Sequence, residues 1–235
     1  MIKAAFKPIR KIHKWLGYLL AIQIFAWLLG GFVMSAIPLE KVHGKHLAHR
    51  QLDNPFKRAD YLTDLNVITK SQDALSSISF KHLLDLPVIK VQGGQTTWFN
   101  GITGEQLKAP SEAIIKQQAD AHYLGNGEIT AVQLLAKGPR EIGYKENVWV
   151  VTYNDWCSTT LYLEAKSGQI ITVRSSIWRL FDFFWMLHIM DYDEREDFNN
   201  PLLISFSVVS VLFCLSGIFL LFQAPPWRKR RNKAT

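Results

Sequence analysis

The sequence predicts an α+β protein in which two transmembrane α-helices flank an extracytoplasmic domain. Two uncharged apolar runs, residues 16–37 and 202–222, stand near the ends of the chain. Each is long enough to cross a bilayer, because about 20 helical residues span a hydrocarbon core of about 30 Å. Between the runs, a helical stretch followed by short strands occurs twice. These observations predict a membrane-anchored domain that consists of two similar units.

The distribution of charge predicts how the chain crosses the membrane. The tails, residues 1–15 and 224–235, together carry ten of the 27 basic residues and none of the 20 acidic ones. Because positively charged flanks stay in the cytoplasm, both termini are predicted to be cytoplasmic, in the inner membrane of a bacterium. The pI of 9.4 then reflects membrane topology and does not indicate nucleic-acid binding.

The first span, residues 16–37, is predicted to be an uncleaved anchor, because it is longer than the apolar core of a secretory signal. Residues 38–70 follow as a juxtamembrane linker. His43, His46 and His49 recur there at a spacing of three. On a helix, neighbours such as His43 and His46 lie close enough to share a transition-metal ion. The alternative is that these histidines are solvated side chains near the membrane surface.

The first repeat is assigned to residues 71–109. We predict a helix near residues 71–84 and two strands, at residues 87–91 and 96–100. A turn at residues 103–105 closes this unit.

The second repeat is assigned to residues 110–175. Ser111 is a suitable N-cap for its helix. Four stretches rich in β-branched and aromatic residues follow and predict strands at residues 129–135, 148–153, 159–163 and 170–174. The short connections indicate antiparallel pairing, with one helix covering one face of each sheet.

The ends of the two repeats carry a shared motif. A strand that ends in an aromatic residue, a short loop, Thr/Ser-Gly-Glu/Gln and an aliphatic residue occur in residues 98–107 and again in residues 162–170. This motif resembles the PepSY repeat. In addition, residues 13–17 (HKWLG) look like the opening of the first helix of PepSY-associated membrane proteins, and residues 185–192 look like their pre-helix segment. The resemblance covers nearly the whole chain.

The resemblance implies two kinds of function. One is an accessory or electron-transfer subunit that binds haem b and is linked to iron or siderophore uptake or to a membrane reductase. The alternative is a tethered binding module without a cofactor, which docks or restrains an extracytoplasmic protein or peptidase, because PepSY domains also occur in the propeptides of secreted metallopeptidases. Larger relatives carry four or more membrane helices, whereas this chain has two predicted spans.

Residues 176–200 are predicted to form an interfacial amphipathic helix and an acidic loop. On a helix, one apolar stripe contains Ile177, Leu180, Phe181, Phe184 and His188. The residues expected on the opposite side are Arg179, Asp182 and Met186. An imidazole in such a stripe needs a partner, which is a metal, a haem iron, a carboxylate or a backbone carbonyl. His188 is therefore a candidate haem ligand, and the alternative is an interfacial histidine with a satisfied hydrogen bond.

His13 is the second candidate haem ligand. Gly17 and Ala21 follow it at one and two helical turns, and small residues allow a flat macrocycle to approach a helix. The alternative is that His13 is one more basic residue of the cytoplasmic anchor. The predicted topology separates His13 from His188 by roughly 30 Å, so both cannot ligate one haem within one chain.

Small residues on the spans leave the oligomeric state open. Ala26 and Gly30 in the first span, and Ser210, Cys214 and Gly217 in the second, form stripes that allow close helix packing in lipid. A homodimer with four helices is one use of these stripes. Packing of the two helices within one chain is the other, and it is the interpretation we favour.

The acidic run at residues 191–197 precedes Asn200 and Pro201. An N-cap Asn followed by Pro is what a helix start needs, so we interpret the run as a charged linker. Cation binding is the alternative. The chain contains none of the usual phosphate-loop, nucleophile-elbow, dinucleotide or zinc-protease motifs, and we expect that it is not an enzyme by itself.

Overall fold

The computed structural model describes residues 2–52, 57–70 and 75–223. The chain divides into two compact units. The helical unit comprises Met1–Ile37 and Phe181–Thr235, and the sheet unit comprises Pro38–Leu180. The predicted α+β class is confirmed, with two candidate membrane-spanning helices at the ends and two antiparallel sheets between them.

The helical unit contains two long helices, α1 (Ile2–Ala36) and α6 (Pro201–Gln223). Their apolar parts, Lys7–Ala36 and Pro201–Phe222, are long and apolar enough to cross a membrane. The start of α6 is as predicted, because the Asn200 side chain accepts a hydrogen bond of 2.8 Å from the N–H of Leu203.

The sheet unit contains the short helices α2 (Leu39–Val42) and α3 (Leu65–Thr69) and the longer α4 (Glu112–His122). Helix α5 (Ser176–Ile189) starts in this unit and ends in the helical unit. The first sheet has the order β1 (Leu75–Leu83), β2 (Leu86–Gly93), β3 (Thr96–Asn100). The second has the order β4 (Ile129–Lys137), β5 (Glu146–Tyr153), β6 (Thr160–Glu164), β7 (Ile170–Arg174). All neighbouring strands are antiparallel.

The helix predicted near residues 71–84 is wrong, because β1 occupies its described part. From Ser77 to Leu83, polar or charged residues alternate mainly with apolar ones, which is the period of a strand and not of a helix. The first unit does have a helix, but it is α3, which precedes β1 and is capped by the Asp64 side chain. Residues 71–74 lie outside the described residues.

The turn that the motif predicts twice has the same hydrogen bonds in both repeats. The turns are residues 100–105 and 164–169. In each, the first N–H donates to the sixth carbonyl at 2.9 Å, and the fifth residue donates back to the first carbonyl at 2.8 to 2.9 Å. The fifth residues are Gly104 (φ +76°) and Gly168 (φ +68°), and this left-handed backbone favours glycine. The two turns therefore share the same backbone geometry.

The main hydrophobic core lies between α4 and the second sheet. Its buried residues are Leu47, Ala48, Ile115, Ala119, Val151, Tyr153, Cys157, Leu161, Leu163 and Val173. The first sheet has two smaller clusters, one on each face. One contains Ile68 of α3 against Ile89 and Phe99, and the other contains Val88 and Trp98.

Side-chain hydrogen bonds connect the two sheets. The Gln118 carbonyl oxygen on α4 accepts a bond of 3.0 Å from the N–H of Leu84, in the β1–β2 turn. Gln169, in the turn before β7, donates from Nε2 to the carbonyl of His82 at 2.7 Å.

Buried His122 extends this connection to the segment that follows α2. Gln118 Nε2 lies 3.0 Å from His122 Nε2, and His122 Nδ1 lies 2.5 Å from the carbonyl of His49. Because the amide nitrogen and Nδ1 must both donate, the ring is a neutral imidazole with its proton on Nδ1. Burial lowers the pKa of His122, which keeps the ring in this form.

Candidate functional site

The second half of α5 packs against the middle of α1. Gln23 donates from Nε2 to the carbonyl of Leu187 at 3.2 Å. A Cβ on Gly30 would lie 3.4 Å from the carbonyl oxygen of Phe184. Because Gln23 and Gly30 both belong to the predicted first span, residues 181–189 lie alongside that span.

The apolar stripe predicted for α5 is only partly right. Phe184 faces α1, and His188 lies near Trp27 of the same helix. However, Leu180 is exposed, and Asp182, expected on the polar side, is buried. Asp182 is paired with Arg195 of the following loop, and both side chains are largely buried. A buried carboxylate is tolerated when it is paired in this way.

His188 has an unusual environment for a histidine. Its Nδ1 atom is buried and has no hydrogen-bond partner among the described residues, and the same is true of Nε1 of Trp27. The two rings lie 6.4 Å apart between centroids and are tilted by 54°. A buried polar group without a partner costs about 1–3 kcal/mol. The alternative prediction is an interfacial histidine whose ring is hydrogen-bonded. The Nδ1 atom of His188 does not support it.

His13, in contrast, is fully engaged in packing between α1 and α6. Its Nδ1 lies 2.8 Å from Ser216 Oγ, and that hydroxyl donates to the carbonyl of Phe213 at 2.7 Å. The hydroxyl has one proton, so Nδ1 donates to Oγ. The imidazole also stacks on the Phe213 ring at 4.3 Å, and a Cβ on Gly217 would lie 3.1 Å from its Cε1 atom.

The surroundings of His13 do not fit a haem within one chain. The space beside Gly17, where a macrocycle was expected, holds the Phe213 ring, whose Cε2 atom would lie 3.3 Å from a Cβ on Gly17. His13 also lies about 21 Å along α1 from Trp27, at 1.5 Å rise per residue. Since Trp27 adjoins His188, the two histidines cannot ligate one haem together.

Two of the small residues on the spans make contacts within the chain. Gly30 adjoins Phe184, and Gly217 adjoins His13. Gly217 therefore packs against the other long helix, as the interpretation that we favoured predicts, whereas Gly30 packs against α5. The two cysteines are free thiols, Cys157 buried and Cys214 exposed.

The juxtamembrane histidines remain candidates without support from the structure. His43 and His46 are both exposed, and the described residues contain no group of three or more potential ligands that could hold a metal ion. Burial, and then the charges of Arg50, Arg174 and Lys45, lower the pKa of His43. This positively charged environment is unfavourable for a cation.

The acidic loop uses its first carboxylate to organise its own backbone. Asp191 accepts hydrogen bonds from the N–H groups of Asp193, Glu196 and Asp197 at 3.3, 2.9 and 3.1 Å. The bond from Asp197, followed by the other backbone bonds, lowers the pKa of Asp191. The loop is thus a structured linker before α6, which agrees with the interpretation of residues 191–197 as a linker.

A groove between the two sheets was missed by the sequence reasoning. Its volume is about 470 Å³. This inter-sheet groove is defined by Arg50, Lys81, Lys90, Trp98, Lys145 and Glu164.

The groove residues come from distant parts of the sequence and form no motif. The strand register of the first sheet explains why Lys81, Lys90 and Trp98 lie together. Lys90 is opposite Trp98 across β2 and β3, and Lys81 is opposite Val88 across β1 and β2. Paired residues share a face of a sheet, so both lysines lie on the face that carries Trp98. These residues come together only through the strand register, which the sequence does not reveal directly.

Trp98, which lines the groove, has an unsatisfied hydrogen-bond donor. Its side chain is 5% exposed, and its Nε1 atom is buried without a partner among the described residues. Lys90 Nζ lies 5.6 Å from the centroid of its ring. Neither Lys90 nor Lys81 forms an ion pair in the described part of the chain, and the same holds for Lys145 and Arg50.

Comparison of the chain with models of protein families, with curated proteins and with solved structures gives no match.

Proposed function

We propose that the chain is a membrane-anchored binding module whose domain takes up its ligand or partner outside the cytoplasm. In this proposal α1 and α6 cross the inner membrane of a bacterium, and both termini are cytoplasmic. The basic tails support this orientation, since they hold ten basic and no acidic residues. The shared turn at residues 100–105 and 164–169 supports interpretation of the domain as PepSY-like.

The inter-sheet groove is the observation that carries the proposal. Ligand sites in proteins are concave, measure about 300–1,000 Å³ and combine apolar walls with a few polar groups. The groove has a volume of about 470 Å³, and Trp98, Ile170 and Ile171 supply apolar surface beside its charged side chains. Buried polar atoms are rarely left without partners, so the free donor of Trp98 indicates a surface that is completed by binding.

The topology is tested by labelling in whole cells. Asn126 is exposed in the turn after α4, so Asn126→Cys offers a thiol on the domain. A membrane-impermeant maleimide should label this variant in intact spheroplasts, whereas a cysteine added after Thr235 should react only after lysis. The unsubstituted chain is the control for the two native thiols, Cys157, which is buried, and Cys214, which lies in the candidate membrane-spanning part of α6. Labelling of the C-terminal cysteine alone would contradict the orientation.

The role of the groove is tested by photocrosslinking in cells. A photoreactive amino acid at Lys145, an exposed groove position, should form an adduct that mass spectrometry identifies. The matched control is Lys116 on α4, which is exposed and pairs with Glu112. Equal adducts at both positions, or none at Lys145, would contradict a binding role for the groove.

Haem-linked electron transfer is the second candidate, and one observation favours it. The buried, unpartnered Nδ1 atom of His188 is a free ring nitrogen next to α1. His13 gives no comparable support, because its Nδ1 atom is bonded to Ser216 and its ring stacks on Phe213. In this candidate His188 would hold the haem from this chain, and any further ligand to the iron would come from outside the chain, from a reductase subunit or from a second copy.

The absorption spectrum separates the two candidates. Protein purified after haem-supplemented expression should show no Soret band if the chain is a binding module without a cofactor. If His188 ligates haem, a reducible Soret band should appear, His188→Ala should abolish it, and His13→Ala should leave it in place. Loss of the band in both variants would point to haem held by a folded helical unit and not by one histidine.

A further inference from the structure

We infer that the inter-sheet groove binds a small polyanion, a compact molecule with at least two carboxylate or phosphate groups. This inference rests on the proposed function and deepens it, because it names the chemical class of the ligand.

The groove has a surplus of positively charged side chains. Arg50, Lys81, Lys90 and Lys145 line it, against the two carboxylates Glu146 and Glu164. Glu164 accepts a hydrogen bond from the neutral Ser167 hydroxyl and keeps its charge, so the lining has two more positive than negative side chains. The surplus of unpaired cations favours a ligand with negative charge, and each cation offers a charge-assisted hydrogen bond to a carboxylate or phosphate oxygen.

Trp98 has an N–H donor without an acceptor among the described residues. An indole N–H can only donate, and this one is buried on a side chain that is 5% exposed, with no acceptor in the described part of the chain. Trp98 lines the groove, and a ligand that reaches the edge of its ring would supply the missing acceptor. Lys90 Nζ lies 5.6 Å from the centroid of the indole ring, so a positive charge is close to the same side chain.

The size and lining of the groove limit the kind of anion that fits. Ile170 and Ile171 lie in its lining together with Trp98, so the walls are partly apolar. Asn147, at the start of β5, has a left-handed backbone (φ +52°) and lines the same groove. Asparagine tolerates this conformation better than most residues. A volume of about 470 Å³ suits a small molecule with a flat or apolar body that carries its charges at the edge.

The binding experiment uses the full chain in nanodiscs of zwitterionic lipid, so that the bilayer does not compete for anions. The probes are benzene-1,3,5-tricarboxylate, pyrophosphate and the neutral benzene-1,3,5-trimethanol. Titration calorimetry gives the affinity, and ¹⁹F NMR of protein containing 5-fluorotryptophan reports on Trp98, whose signal is assigned with Trp98→Phe. We expect at least one anion to bind and shift the Trp98 signal, more weakly at high salt, and the neutral triol not to bind.

Charge variants test the site. Lys81→Gln combined with Lys90→Gln should weaken anion binding by at least about tenfold. Lys116→Gln removes one charge from α4 and should change the affinity by less than about twofold. Trp98→Phe should weaken anion binding; because it also leaves a gap in a buried cluster, it should lower the melting temperature, and its binding is measured well below that temperature. A circular dichroism melt of every variant separates loss of binding from loss of folding.

The outcomes distinguish the inference from the function on which it rests. If the preferred anion is the tricarboxylate or pyrophosphate, the ligand is a carboxylate or a phosphate compound, respectively. If the neutral triol binds as tightly as the anions, or the paired lysine variant binds unchanged, the inference is overturned while the groove remains a binding site. If no probe shifts the Trp98 signal and no adduct forms at Lys145 in cells, the proposed function fails as well.

Discussion

The two sheets of the domain share a turn and differ in almost everything that supports it. In the second sheet, α4 has 11 residues and packs onto a core of ten buried residues. In the first sheet, α3 has only five residues, and the larger cluster has four buried residues. The chain after the shared turn also differs, because it forms the full strand β7 in the second sheet and only a single bridge, Phe99 to Gln106, in the first.

The difference shows that a local motif sets a turn but not the stability of the unit around it. The second sheet has a long helix, a fourth strand and a larger core, so we interpret it as the stable scaffold. The first sheet carries Lys81, Lys90 and Trp98, and thus one wall of the inter-sheet groove. Binding sites are commonly drawn from the less stable part of a domain.

The largest effect is expected from truncating the main core. Ile115→Ala removes a fully buried side chain of α4 and should lower the free energy of unfolding by about 2–5 kcal/mol. Ile68→Ala, at a buried position of α3, should mainly speed hydrogen exchange in β1 to β3. Thermal melts and hydrogen exchange of the full chain measure the two effects. Equal protection losses in both sheets for both variants would break the comparison and make the domain one cooperative unit.

The shared turn provides the second prediction. Gly168→Ala and Gly104→Ala each place a Cβ on a left-handed backbone, which costs about 1–2 kcal/mol. A Cβ on Gly168 would also lie 2.9 Å from Leu83 Cδ1 of the first sheet, so this variant should loosen both sheets. Gly94→Ala is the control, since open space surrounds that position. Unchanged hydrogen exchange in β1 of the Gly168→Ala protein would show that the sheets are not coupled there.

The smallest expected effect is a pH dependence that comes from His122. Burial lowers its pKa below the ordinary value of 6.5, so the unfolded chain binds the proton more readily than the folded one. Its contribution is complete above pH 6.5 and is lost as the pH falls below that value. The slope should reach at most about 1.4 kcal/mol per pH unit.

Melting temperatures between pH 7.5 and 5.5, followed by near-ultraviolet circular dichroism, measure this slope. The pKa of His43 is shifted in the same direction, so the series is measured in the His43→Gln background. Adding His122→Gln should flatten the slope. A slope that is unchanged by this substitution would show that other groups determine the acid sensitivity.

Strong local signals were sufficient to predict most of the fold from the sequence. The two candidate membrane-spanning helices follow from uninterrupted apolar runs. Ser111 and Asn200 mark helix starts because their side chains accept N–H bonds there. The error at residues 71–84 arose because the alternation in β1 was not recognised as a strand pattern. The pattern was present in the sequence, so this error was avoidable.

The candidate site was harder to predict because it depends on tertiary pairing. Asp182 was expected at the surface, but Arg195, which neutralises it, comes from a loop that no helical pattern connects to it. The sequence makes His13 a candidate ligand because Gly17 predicts space beside it, whereas Phe213 of α6 fills that space. Such contacts depend on which faces of distant segments meet, and periodicity within one segment does not contain that information.

The interlocking of His13 and Phe213 with two glycines has a consequence for motion. Phe213 of α6 sits against Gly17 of α1, and His13 of α1 sits against Gly217 of α6. Each helix therefore holds a ring of the other, one turn apart. If one helix alone moved along its axis or rotated, both rings would separate from the glycines that they contact. The hydrogen bond between His13 and Ser216 would also break. We therefore expect α1 and α6 to move together rather than one at a time.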